Sequence, residues 1–181
     1  MRVSDEVFDL FERRGREAYF GENVSILEHS LQAAWLAKEA GAEQHLVVAA
    51  LLHDIGHLMH GLGEDIAQHD LNGKHELVGE AWLHSRFGAR VSEPVRLHVD
   101  AKRYLSFVEP SYLTQLSPAS LLSLKLQGGP FSTDQARDFE RHPHFRDAVA
   151  LRRWDDAAKI KDLVVPDVRA YEALLTDCSL G

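Results

Sequence analysis

The sequence predicts an all-α fold, a single helical bundle. Three observations carry this: apolar residues recur at helical spacing between the glycines and prolines, strand-period alternation is essentially missing, and capping residues stand where helices would begin. At 181 residues the chain has the length of one domain, expected over 1–181, and can bury a core without disulfides. It shows no repeat, low-complexity tract or linker.

Val7, Phe8, Leu10 and Phe11 share one face of a first helix over 4–14, with Ser4 or Asp5 as its cap. A glycine-punctuated stretch, GREAYFGE, follows. Ser25 and Glu28 have capping-box spacing and open a helix to about Ala40, ended by Gly41. Residues 43–59 are too apolar for a surface helix, so one buried central helix is expected there. Gly61 to Gly73 reads as a polar loop, long enough for a lid or substrate loop. A helix from about Lys74 to Arg86 ends at Gly88, and another starts after Ser92, with Pro94 in its first turn, and runs to about Leu105. Ser117-Pro118 opens a helix to Gln127, Ser132 caps a short one, Pro143 precedes the helix carrying LRRWDDAAK, and Pro166 precedes the last.

Composition narrows the function. A net charge of -8 argues against a nucleic-acid partner, because phosphate backbones select clustered Lys and Arg. No apolar run is long enough to span a bilayer, and MRVSDEVFDLFERR lacks the apolar core of a secretory signal. With one cysteine, Cys178, no internal disulfide or cysteine-built metal site can form, and a reducing cytoplasm is the expected setting. A monomer or weak homo-oligomer is expected. Eleven histidines are the unusual feature.

The sharpest motif is His53-Asp54-Ile55-Gly56-His57, in the most apolar segment. Burying two imidazoles and a carboxylate there is costly unless something compensates, and a transition metal does so directly. The alternative is a pair of satisfied core histidines beside an acid. His29 lies in the preceding helix, His75 and His98 on following ones, and Asp155 in LRRWDDAAK. One ion can be filled by His29, His53, Asp54 and Asp155. His75 and His98 then remain for a second, with Asp54 as bridge, the count that a two-metal site needs.

The pattern H…HD…H…H…D, with HDIGH inside AALLHDIGHL, resembles the HD-domain superfamily. Further stretches narrow this: YFGENVSILEHSLQAA, KHELVGE, PVRLHVDAKRYL, LSPASLLSLKLQGGP and LRRWDDAAK are similar to the phosphonate-degrading HD-domain oxygenases, relatives of mixed-valent di-iron inositol oxygenase. The resemblance spans about Tyr19 to Lys159. It implies two iron ions, Fe(II)/Fe(III), held by His29, His53, Asp54, His75, His98 and Asp155, with Asp54 bridging. It also implies that His57, Lys102, Ser120 and Arg152 meet phosphonate oxygens. Tyr19 would occupy an iron position until substrate arrives, with Glu22 recognising the substrate's amino end. The alternative, read from the residues alone, is that Lys102 and Arg152 are solvated surface charges, Ser120 an ordinary helix residue, and Tyr19 and Glu22 ordinary loop residues before a cap.

The activity this resemblance implies is oxidative carbon–phosphorus cleavage. A 1-hydroxy-2-aminoethylphosphonate or its trimethylammonio analogue would react with dioxygen to give phosphate and glycine or glycine betaine, with His57, Lys102 and Tyr19 nearest the chemistry. The rival from the same ligand set is a metal-dependent phosphohydrolase acting on nucleotides or phosphomonoesters, which activates water instead of dioxygen. A catalytically inert ligand-binding module is the third reading, disfavoured because no ligand position is lost.

Overall fold

A computed structural model describes residues 2–19, 21–59 and 75–181. Among them lie ten α-helices: α1 Val3–Arg14, α2 Ile26–Glu39, α3 Gln44–Leu52, α4 Ile55–Met59, α5 His75–Phe87, α6 Ala89–Val108, α7 Pro118–Leu126, α8 Thr133–Glu140, α9 Phe145–Ala157 and α10 Glu172–Asp177. Short 3-10 turns at Tyr112–Gln115 and Val168–Tyr171 complete the path. The only pairing of extended backbone among the described residues is an isolated bridge between Ala18 and Ser25. The all-α expectation holds. The proposed loop over 61–73 lies outside the described residues.

The caps form where local chemistry calls for them. Ser25 accepts the Glu28 amide while the Glu28 carboxylate reaches back to Ser25, and Ser132 and Gln135 repeat the arrangement at α8. Ser117 caps α7, with Pro118 in its first position. Gly41 and Gly88 adopt φ of 72° and 74°, the left-handed region where glycine carries no side-chain penalty.

α3 is the hub. Every residue from Leu46 to Leu52 is buried, so the helix has no solvent face and must be enclosed. It packs on α2, α6 and α9, while α5 and α6 lie side by side and α6 also meets α9. Leu51, Leu52, Ile55, Leu83 and Leu151 are among the largest fully buried side chains, each contributing about 1.5–3 kcal/mol by leaving water. Helices α2, α6 and α9 thereby meet at α3, and α5 joins them through α4 and α6.

Three expectations need correction. Neither Ser4 nor Asp5 caps the first helix: α1 starts at Val3 with Arg2 at its N-cap, so both lie inside its first turn. Residues 43–59 are not one helix: α3 stops at Leu52, a turn occupies His53 and Asp54, and α4 restarts at Ile55. Apolar content is the same on both sides of the break, so periodicity could not reveal it. The cause is tertiary: a β-carbon at Gly56 would stand 2.0 Å from the His75 carbonyl oxygen, so the chain turns to bring its backbone against the start of α5. Helix α6 starts at Ala89, not after Ser92, and carries Pro94 inside it. Gly88 serves both helices, ending α5 and standing at the N-cap of α6, whereas its sequence signal reads only as a stop. No helix among the described residues is long and apolar enough to cross a membrane.

Candidate metal centre and anion pocket

His29 comes from the second turn of α2, His53 and Asp54 from the break after α3, His75 from the first residue of α5, His98 from α6 and Asp155 from α9. His29 and His53 are 0% exposed, and Asp54, His98 and Asp155 each 2%. The Nε2 atoms of His29 and His53 face each other at 3.0 Å, and those of His75 and His98 at 3.3 Å. Asp54 stands between the two pairs. Its Oδ2 lies 3.6 Å from His29 and 3.4 Å from His53, its Oδ1 3.4 Å from His75 and 3.7 Å from His98. Asp155 Oδ1 joins the first group, 3.3 Å from His29. Six donors thus form two groups that share one carboxylate.

Their orientation is fixed from behind. His29 Nδ1 lies 2.8 Å from the Ala158 carbonyl, His53 Nδ1 2.8 Å from that of Ala50, and His98 Nδ1 2.6 Å from that of Val95. A carbonyl can only accept, so each Nδ1 carries a proton and each Nε2 is the nitrogen that points inward, the usual outer-shell device of a metal histidine.

The donor set fits a cation. Asp54 Oδ2 and Asp155 Oδ1 are buried oxygens without a hydrogen-bond donor, a cost that a bound cation removes. The electrostatics agree. Burial works against charge on His53, yet Asp54 and Asp155 raise it to about 10. Burial brings His98 down to about 4 and holds His75 well below its ordinary range. Against their own burial, Asp54 is held well below the carboxylate range by His53, and Asp155 by Arg152. The carboxylates hold their charge and demand a positive partner. Nitrogen and carboxylate oxygen without thiolate suit a first-row transition metal.

Beside this centre lies a group of buried basic side chains, the candidate anion pocket. Lys102, one turn beyond His98, is 3% exposed and donates to Ser123 Oγ at 2.7 Å. Burial, then the charge of Arg152, brings it down to about 7. Ser120 is buried, and its Oγ accepts from Lys159 at 2.8 Å. Arg152 is 4% exposed, donates to Asp155 Oδ2 at 2.8 Å, and also reaches Asp156 and the Tyr112 hydroxyl. It therefore holds the outer oxygen of Asp155 so that the inner one faces His29. Lys102 and Arg152 are not surface charges.

Tyr19 stacks on His29 with ring centroids 4.0 Å apart, and burial with the charges of Asp54 and Asp155 holds its phenol well above the usual range. His57 stacks on His75 at 3.9 Å, its Nε2 3.9 Å from Asp54 Oδ1. Glu22 accepts from Ser117 Oγ and lies 3.3 Å from Lys159 Nζ. All twelve residues singled out from the sequence thus fall in one region or on its rim. Lys159, Ser123, Tyr112 and Asp156 were not anticipated. Asp156 had a signal in its i, i+4 spacing from Arg152, and Lys159 in its place one turn beyond Asp155.

The HD domain family matches residues 26–124, the span that carries five of the six donors. The chain belongs to the HD-domain family. Within that family it is 43% identical over 180 residues to a hydroxymethylphosphonate dioxygenase of Gimesia maris, covering 95% of this chain and 86% of the relative. It is 41% identical over 158 residues to the glycine-betaine-forming [1-hydroxy-2-(trimethylamino)ethyl]phosphonate dioxygenase of Leisingera caerulea, covering 87% and 81%. An uncharacterised protein of Acanthamoeba polyphaga mimivirus is 34% identical over 173 residues, covering 94% and 79%. Two of these three relatives of the HD-domain protein are thus named as phosphonate dioxygenases.

Proposed function

We propose that this chain, acting as one domain, is a dioxygen-dependent di-iron oxygenase. It cleaves the carbon–phosphorus bond of a 1-hydroxy-2-aminoethylphosphonate or its trimethylammonio analogue, releasing phosphate and glycine or glycine betaine. The observation that carries the reading is Asp54, whose two oxygens face two separate histidine pairs beside a buried lysine. The names of the relatives at 43% and 41% identity favour oxygenase chemistry over the phosphohydrolase alternative.

In this reading two irons, as Fe(II)/Fe(III), supply dioxygen activation when bound to His29, His53, Asp54, His75, His98 and Asp155. The chain's own groups do the rest. Lys102, Ser120, His57 and Arg152 hold the phosphonate and offset its charge in a region from which water is largely excluded. Glu22 takes the substrate's cationic end, and Tyr19 shields the His29 side until substrate enters. The C1–H and C1–P bonds break, C1 ends as a carboxylate, and the electrons of those two bonds reduce one dioxygen.

The deciding test is phosphate release by iron-loaded protein from 1-hydroxy-2-aminoethylphosphonate, its trimethylammonio analogue and hydroxymethylphosphonate, with and without dioxygen. Phosphate that requires dioxygen is expected. No phosphate from any of them, in protein shown to hold two irons, would reject carbon–phosphorus cleavage.

A pH dependence follows from Lys102, which burial brings to about 7. Lowered affinity for a proton means that Lys102 is charged below that pH and neutral above it. Anaerobic calorimetry should show phosphonate binding weakening as pH rises through about 7. Lys102→Met should bind more weakly at pH 6 and lose that limb. An unchanged limb in the variant assigns the titration to another group.

A further inference from the structure

Lys159 Nζ stands between two groups of opposite kind. It lies 3.3 Å from Glu22 Oε1 and donates to Ser120 Oγ at 2.8 Å. Both charged side chains are largely removed from solvent, 12% exposed for Lys159 and 13% for Glu22. Each is held from the same helix start: Ser117, the cap of α7, donates to Glu22, and Ser120 lies one turn inside. The ion pair therefore spans from the residue read as the cation acceptor to a residue read as an anion contact.

We propose that the Glu22–Lys159 pair is a placeholder for a zwitterionic substrate, and that Lys159 determines selectivity for the substrate's arm. This rests on the phosphonate oxygenase reading. On binding, the substrate's ammonium replaces Lys159 on Glu22, and Lys159 turns to the phosphonate oxygens beside Ser120. One internal pair is exchanged for two substrate pairs, so neither side chain is left charged and alone in a poorly hydrated place. A substrate without a cation offers Lys159 a new partner but gives Glu22 none, and the two anions then compete for one lysine. Lys159 thus acts on both ends of the substrate, and the two classes of arm feel its removal differently.

The experiment compares 1-hydroxy-2-aminoethylphosphonate with hydroxymethylphosphonate in iron-loaded wild type, Lys159→Met, Lys159→Arg and Glu22→Gln, by kcat/KM and by anaerobic calorimetry, with iron content measured throughout. Lys159→Met should weaken hydroxymethylphosphonate by about tenfold or more, while the aminoethyl substrate, free to take an unblocked Glu22, falls by much less. The ratio of aminoethyl to hydroxymethyl binding therefore rises in Lys159→Met and falls about tenfold in Glu22→Gln. Lys159→Arg, which keeps the charge, should return most of the wild-type ratio. Equal weakening of both substrates in Lys159→Met would make Lys159 a plain phosphonate contact and overturn the exchange. A ratio that moves the same way in both variants would also overturn it. If wild type holding two irons releases no phosphate from either substrate or from the trimethylammonio analogue, the oxygenase reading fails and takes the exchange with it.

Discussion

On the proposed di-iron reading, Asp54→Asn should strip both metals from the protein at once. Metal analysis after iron-replete expression is expected to find less than about a tenth of the wild-type iron, and phosphate release from the phosphonates should fall by roughly a thousandfold or more. The reason is the position of one carboxylate between two histidine pairs, Oδ2 3.4 Å from His53 and Oδ1 3.4 Å from His75. Asparagine keeps the shape but loses the charge, and turns one of the two facing atoms into a donor that no metal accepts. His29→Ala supplies the contrast. Its imidazole serves only the group containing His53 and Asp155, so that variant should retain metal on the His75–His98 side. Full iron in Asp54→Asn would remove the bridging role.

Gly56→Ala is the second large effect, and it acts through the backbone. The added carbon would stand 2.0 Å from the His75 carbonyl oxygen and 3.0 Å from the Gly79 nitrogen. Neither is the end of a flexible side chain, so α5 must move away from α4. Overpacking of this kind costs about 3 kcal/mol, which for a chain of this size lowers the thermal midpoint by roughly 10 °C. Because His75 is the residue that moves, iron on its side of the centre should fall as well. Gly79→Ala is the control. Its new carbon would come no closer than 3.4 Å to Gly56, an ordinary contact, and alanine favours a helix interior, so its midpoint should hold or rise. Equal midpoints for the two variants would show that the approach of α4 to α5 is not tight.

Much of this architecture is legible in the sequence because its signals are local. A serine three residues before a glutamate or glutamine, or a serine before a proline, satisfies orphan amides within one turn, and Ser25, Ser117 and Ser132 cap where they are read to. The turn at His53–Asp54 is invisible at that level. It answers to His75, 21 residues beyond Asp54, in a stretch whose apolar content gives no reason to stop. Gly88 has the opposite problem, a local signal with two meanings. At the centre, the residue types were legible because buried imidazoles and carboxylates are costly without a cation, whereas the pairing of Lys159 with Glu22 spans most of the chain and leaves no periodic trace. Arg152 lies between these cases: its charge is plain in the sequence, its burial among three acceptors is not.

The two halves of the site are anchored by different materials. Three inner imidazoles are steadied by carbonyls of Ala50, Val95 and Ala158, groups that every residue type supplies, so substitution at those positions leaves the anchor in place. The basic pocket is steadied by side chains, through Ser123, Ser120, Ser117 and Glu22, and each of these can be rewritten by a single codon. Such a division lets a lineage vary the molecule it consumes while inheriting its reactive centre intact.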